Sequence, residues 1–269
     1  MKPTRISASS YLNTAPLVWS FLYGQNHGKI EIILDNAPAR SAELLSQGRV
    51  DAALVPIFAY QTIDELYLVP DVCIGARERV QSVCLVTKGK ELREARSIAL
   101  DKSSRTSIAL TKIVFREFLD TEPAWRSAEP DIDAMLSSAD CALLIGDPAL
   151  RLTGRGYKIF DLAELWRQFT GYGFVFAMWM TRYASSPIDF AAARDEGLAH
   201  VDEIMNNYLP HVALDQNEMR NYLISSISYS IDDSMREGMK LYFELAYRHQ
   251  LIEQNKPLQF TENHRMKPV

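Results

Sequence analysis

Cysteine is scarce. Cys73, Cys84 and Cys141 are the only three in 269 residues, and no two are spaced as CxxC. A disulfide framework and a thiolate zinc site are both excluded as organising features, and buried thiols in a reducing compartment are expected. The histidines, His27, His200, His211, His249 and His264, form no HExxH or comparable pair, so no metal site is expected. No apolar run approaches the roughly 18 residues of a membrane span. The start, Met1 to Leu22, is broken by Asn13, Thr14 and Pro16 and has no small-residue cleavage site after it. It is not read as a signal peptide, and a cytoplasmic location is expected. Positive charge is not in excess: 29 Lys and Arg against 34 Asp and Glu give a net charge of −5, with no basic run. Nucleic acid is therefore not expected as a partner, and neither is a membrane. A Ser-His-Asp order, a nucleophile elbow, a P-loop and a GxGxxG turn are all missing as well.

What remains is an ordinary globular composition, 47% hydrophobic and 23% charged, which rules out disorder and collagen-like order. The length suits one large domain or two lobes. Along the first third, short apolar runs alternate with helical patterns. Arg5–Ala8, Ile30–Leu34 and Ala52–Pro56 read as strands, and the segments after Asn13 and from Ala39 to Gln47 read as helices. Asn13 or Thr14 is placed to cap the first helix, Pro16 fits its first turn and Gly24 stops it. This βαβαβ order argues for a parallel, doubly wound sheet. Ser82–Thr87 is another strand, and the polar stretch from Lys88 to Glu91 is read as a lobe boundary. Ser97–Leu100, Cys141–Ile145 and Phe174–Met180 are further strands, the last long enough to return the chain to the first lobe. The expected division is one lobe from 1–87 and 178–269 and a second from 88–177, with crossings near Thr87 and Ala177. The remainder reads as helices, one capped by Ser186 with Pro187 at its first position, one opened by Asp215 and Glu218, and one from Asp233 to His249. The tail after Lys256 is expected to fray.

Several strand ends run directly into loops of hydroxyls and amides: Ser9 to Thr14, Pro56 to Tyr60, Ser103 to Ser107, and Gly146-Asp147. In open α/β sheets ligands bind outside the carboxyl ends of strands, and helix N-termini there offer free N–H groups and partial positive charge. Residues alone thus lead to a two-lobed α/β protein that binds a small anion. Each residue also has a simpler role open to it: Asn13, Ser104, Thr106 and Ser107 as helix caps, Asp147 as a turn former.

The same loops resemble a known family. Tyr11-Leu12-Asn13-Thr14-x-Pro16-Leu17 looks like the opening block of chorismate dehydratases of the futalosine route to menaquinone. Ala53-Leu54-Val55-Pro56 with Tyr60, Val80-x-Ser82-Val83-x-Leu85, Ser104-x-Thr106-Ser107, and Ala142 to Leu150 through Gly146-Asp147 are similar to later blocks. Asp161-Leu162 with Trp166, and Thr170-Gly171 followed by Phe174 to Ala177 and Trp179, complete the series in order. Two departures stand out: Gly173 occupies a position where proline is usual, and Ala76-Arg77-Glu78-Arg79 is unusually charged.

The resemblance implies an α/β fold like that of type II periplasmic binding proteins, with a ligand cleft between two lobes. It implies a lyase that removes water from chorismate to give 3-[(1-carboxyvinyl)oxy]benzoate. No cofactor is implied, because aromatisation drives the reaction and the substrate's own enolpyruvyl carboxylate is thought to take the proton. The partner is then a dianionic small molecule. Asn13 falls on the family's reactive-site amide. Ser10, Tyr11, Thr14, Pro56, Ser82, Ser104, Thr106, Ser107, Gly146 and Asp147 are the expected binding residues. A small-anion solute-binding protein of the same fold, or the later naphthoate-forming synthase of the pathway, are the alternatives.

Overall fold

The computed structural model describes residues 4–36, 38–152, 155–212 and 214–262; His264 and the last residues of the tail lie outside these. In chain order the elements are β1 Arg5–Ser9, α1 Ala15–Leu22, β2 Glu31–Asp35, α2 Pro38–Ser46, β3 Ala52–Pro56, α3 Ala59–Thr62, β4 Tyr67–Ala76 and β5 Val83–Thr87. They continue with β6 Ser97–Asp101, α4 Thr106–Ile113, β7 Ala124–Ala128, α5 Ile132–Ser138, β8 Cys141–Ile145, α6 Asp147–Leu150, β9 Lys158–Asp161 and α7 Leu162–Thr170. Strand β10 Phe174–Thr181 then leads into α8 Phe190–Ala199, α9 Val201–Tyr208, α10 Gln216–Asn221 and α11 Asp233–Arg248.

Two five-stranded sheets form two lobes. Their orders are β2-β1-β3-β10-β4 and β7-β6-β8-β5-β9. In each, four strands run in one direction and one, β10 in the first sheet and β5 in the second, runs against both its neighbours. The sheets are therefore mixed rather than wholly parallel: the chain leaves the first lobe after β4, which runs with β1–β3, and re-enters it through β10, which runs against them. Strands β3, β5 and β8 are buried at every position, which is why they read as unbroken apolar runs without alternation.

The division of the chain differs from the expected one at the first crossing. Strand β5 pairs with β8 and β9, in the second sheet, so the crossing lies at 77–82 and not near Thr87. The stretch from Lys88 to Glu91 is a turn within the second lobe. The second crossing lies at 171–173, between α7 and β10, and not near Ala177, because β10 belongs to the first sheet from Phe174 onward. The two crossings touch. A Cβ on Gly173 would meet Met235 Cγ at 2.7 Å and the Ala76 carbonyl at 3.0 Å, and the Gly173 N–H donates to Ser234 Oγ at 3.1 Å. Proline could supply neither the space nor the donor, which accounts for the glycine at this position. The charged turn in the other crossing is held from both sides. Arg77 pairs with Asp232 at 2.7 Å, and Arg79 and Glu78 pair with Glu164 and Arg167 of α7 at 3.5 and 3.9 Å.

Local signals also differ in detail. Neither Asn13 nor Thr14 caps α1 with its side chain. The helix after Ser186 begins at Phe190, capped by Asp189, whose carboxylate accepts from the Ala192 N–H at 2.9 Å. Asp215 and Glu218 do form a capping box. The helix they open passes into a π-helical turn at Tyr222–Ser226. The tail after Lys256 is docked as far as it is described: Tyr60 donates to the Pro257 carbonyl at 2.6 Å, and Phe260 bridges to Leu68. One continuous hydrophobic core runs through both lobes, with a smaller cluster on the outer side of the second.

Candidate functional site

The carboxyl ends of β1, β3, β6 and β8 meet between the lobes, where a cavity of about 70 Å³ lies. That is below the roughly 300–1,000 Å³ usual for small-molecule sites, so the lobes are drawn tightly together here. The first lobe contributes Tyr11 and Asn13 from the loop after β1, Pro56 from the end of β3, and Phe176 from β10. The second contributes Ser103, Ser104, Thr106 and Ser107 at the start of α4, and Ile145 and Gly146 at the end of β8. The remaining walls include Leu54, Ile74 and Val83. Every polar side chain lining the cavity is an uncharged hydroxyl or amide. An apolar wall with a few convergent donors lowers the local dielectric and strengthens each hydrogen bond to a charged ligand.

Each hydroxyl at the start of α4 has its own task. Ser104 Oγ accepts from the Ser107 N–H at 3.2 Å, acting as a cap. Thr106 Oγ1 accepts from the Phe58 N–H of the opposite lobe at 3.2 Å, which leaves its own proton free to donate. Tyr242 donates to the Thr106 carbonyl at 3.1 Å. Behind this turn Asp101 is raised above the ordinary carboxylate range, chiefly by burial, and Ser103 donates to it through both its backbone N–H and its hydroxyl.

The lobes are closed on one another. The Leu12 N–H donates to Asp147 Oδ1 across the gap at 3.3 Å, and burial pushes Asp147 above its ordinary range. The ring of Tyr11 lies against Gly146, where a Cβ would sit 3.0 Å from Tyr11 Cε2. On the far side, Glu117 of the second lobe pairs with Arg248 and His249 at 2.8 Å each.

Of the expected site residues, Tyr11, Asn13, Pro56, Ser104, Thr106, Ser107 and Gly146 line the cavity. Four do not. Ser10 turns outward and donates to Asn36 at 3.2 Å. Thr14 is buried against Ser9 at 3.1 Å. Ser82 is buried beneath the cavity, with a long 3.4 Å hydrogen bond to the Val80 carbonyl. Asp147 serves the lobe contact just described. Ser9, Ser103 and Phe176 line the cavity without having been singled out individually. The first two lay inside loops already marked by their hydroxyls, whereas Phe176 carried no signal beyond that of a strand residue.

Known proteins resemble this chain in sequence and in fold. A family model described as menaquinone biosynthesis matches residues 4–248. A curated chorismate dehydratase of Thermus thermophilus is 30% identical over 267 residues, covering 91% of this chain and 95% of the relative. Among solved structures, protein AF1704 of Archaeoglobus fulgidus aligns with a TM-score of 0.75 at 17% identity, covering 92% of this chain and 98% of the other. The periplasmic aliphatic sulphonate binding protein SsuA of Escherichia coli aligns with a TM-score of 0.64 at 15% identity, covering 100% and 97%. These two show the fold, that of periplasmic binding proteins. By its match over residues 4–248 and its likeness to the Thermus enzyme, the chain belongs to the menaquinone biosynthesis family, as a homologue of chorismate dehydratase.

Proposed function

We propose that the interlobe cavity binds chorismate and eliminates water from it, giving 3-[(1-carboxyvinyl)oxy]benzoate. The observation that carries the reading is the position of Asn13. It lines the cavity opposite Ser104, Thr106 and Ser107, and it caps no helix. Its side chain is thus not taken up in capping, and its oxygen accepts only a long bond from Thr14 Oγ1 at 3.4 Å.

The reaction asks little acid–base work of the protein. A ring hydrogen leaves as a proton from the carbon that bears the ether, and hydroxide leaves from its neighbour. The electrons left behind complete a benzene ring, and product plus water account for every atom. The enolpyruvyl carboxylate is positioned by the substrate's own ether linkage to take the proton. The protein's part is to hold that carboxylate over the ring hydrogen and to steady the departing hydroxyl. In this reading the start of α4, with the free Thr106 proton and the helix dipole, holds one carboxylate. Asn13 donates to the other carboxylate or to the leaving hydroxyl. Tyr11 and Gly146 close the cavity over the ligand and exclude water.

Incubating the purified protein with chorismate and following products by chromatography and mass tests this. The expected product is aromatic and lighter than chorismate by one water. Chorismate bound without turnover would favour the solute-binding alternative, and neither binding nor turnover would overturn the reading.

A further inference from the structure

The turn that carries Asn13 begins without a cap from its own lobe. Leu12–Thr14 is a single 3₁₀ turn that runs straight into α1, and Tyr11, at its cap position, makes no side-chain bond to it. The first N–H groups of a helix have no partner within it. The Thr14 N–H closes the turn onto the Tyr11 carbonyl at 2.9 Å. Leu12 is fully buried, and its N–H finds an acceptor on the opposite lobe, in Asp147 Oδ1 at 3.3 Å. The start of the Asn13 turn is therefore satisfied from across the cleft, by a residue 135 positions away along the chain.

Asp147 is held firmly on its own side. It opens α6 directly after Gly146, whose N–H donates to the Ser82 carbonyl at 2.7 Å and whose carbonyl accepts from the Ala149 N–H at 3.0 Å. The Tyr11 ring rests on Gly146 from the first lobe. Just past the far end of α6, Arg151 Nη2 donates to the His211 carbonyl of the first lobe at 3.1 Å. Of these two hydrogen bonds to the first lobe, the one from Asp147 reaches the Asn13 turn. A negative charge at the start of a helix is also favoured by the helix dipole. The cavity, about 70 Å³, is smaller than those that hold a small molecule, so the lobes must part to admit one. The Leu12–Asp147 bond spans that gap, and it breaks and re-forms with each opening.

We propose that Asp147 is a positioning residue: when the lobes close, its carboxylate caps Leu12–Thr14 from across the cleft and fixes the backbone from which Asn13 reaches the substrate. With the lobes apart the turn loses this acceptor, so Asn13 is held in its working place only over an enclosed ligand. Asp147 does not line the cavity and acts through the turn alone. The inference rests on the dehydration reading, with Asn13 as the group that touches substrate.

The test compares variants of the full chain. In Asp147→Ala, KM should stay within about threefold while kcat falls roughly tenfold, the scale of one lost hydrogen bond to a charged group. Asp147→Asn keeps an acceptor of the same reach, and Arg151→Ala breaks only the other hydrogen bond to the first lobe; each should hold kcat within about threefold of wild type. In an Asn13→Ala background Asp147→Ala should cost nothing further, because the group it positions is gone. Hydrogen–deuterium exchange reads the cap without turnover: amides of residues 12–14 should exchange roughly tenfold faster in Asp147→Ala, and at the wild-type rate in Arg151→Ala. A kcat for Asp147→Ala within threefold of wild type, equal losses in Asp147→Ala and Arg151→Ala, a full loss in the Asn13→Ala background, or unchanged exchange at residues 12–14 each overturns the proposal. If Asp147→Ala does not fold, Asp147→Ser, with a side chain one bond shorter, takes its place with the same expectations. Wild type that leaves chorismate untouched defeats the dehydration reading instead, and the exchange measurement, which needs no turnover, separates the two failures.

Discussion

Replacing Gly146 by alanine tests how closely the lobes must approach. Gly146 has φ of 65° and ψ of −150°, a backbone region that side-chain-bearing residues avoid, and placing alanine there costs about 1–3 kcal/mol. That cost falls on the second lobe whether the cavity is open or closed. For a chain near this size each kcal/mol lowers the thermal midpoint by roughly 2–4 °C, so a drop of about 2–12 °C is expected. A second cost belongs to the closed form alone. The new methyl would lie 3.0, 3.1 and 3.2 Å from three ring carbons of Tyr11, well inside the roughly 3.5–4.0 Å of a favourable carbon contact. Overpacking of this kind costs about 1–3 kcal/mol. If catalysis requires the closed cavity, kcat/KM should fall roughly fivefold to hundredfold. Calorimetry and steady-state dehydration of chorismate read the two costs separately. Trimming the opposing ring, as Tyr11→Leu, should relieve the second cost but not the first. A Gly146→Ala protein with wild-type midpoint and wild-type kcat/KM would refute both the strain and the closure arguments.

Asn13→Asp keeps the size of the side chain but sets a negative charge beside a dianion. At an effective dielectric of about 20 and a separation of about 4 Å the repulsion is roughly 4 kcal/mol. Since Asn13 caps no helix, the thermal midpoint should hold while turnover falls by about two orders of magnitude or more; near-normal turnover would remove Asn13 from the mechanism. Thr106→Ala removes a hydroxyl whose oxygen already receives the Phe58 N–H, and kcat/KM should fall roughly tenfold to hundredfold, as for a lost hydrogen bond to a charged group. An unchanged value would leave Thr106 as a lobe contact only. Burial pushes the thiols of Cys73 and Cys141 up to about 12 and that of Cys84 higher still. Native protein near pH 8 should therefore resist a thiol reagent, and unfolded protein should release all three thiols; rapid labelling of native protein would contradict their burial.

How far the sequence could be read depended on where each signal was local. The runs Ala52–Pro56 and Cys141–Ile145 are apolar throughout because both faces of β3 and β8 are covered, so they announced themselves. The Asp215 and Glu218 box marked its helix start because capping is settled within one turn. The loops that line the cavity could be picked out because strand ends rich in hydroxyls are an unusual combination. Pairing between distant segments was not local and was missed. Nothing in Val83–Thr87 states that its partners are β8 and β9, so the first crossing was placed one strand too late. Strands β4, β7 and β9 went unread: β4 carries Pro70 and Asp71 at its middle, and β7 and β9 are half-exposed edges with charged residues among them. The apolar spacing of Met219, Tyr222, Leu223 and Ile227 fits an ordinary helix. It gave no sign of the π-helical turn at Tyr222–Ser226.

The most direct measurement is a crystal structure of the wild-type protein with the dehydration product bound. The account predicts 3-[(1-carboxyvinyl)oxy]benzoate between the closed lobes. One carboxylate should lie within hydrogen-bond reach of the Thr106 hydroxyl at the start of α4, and the enolpyruvyl group should be beside the Asn13 amide. Product found outside this cavity, or inside it with Asn13 more than one water away from any ligand oxygen, would contradict the claim that dehydration takes place here.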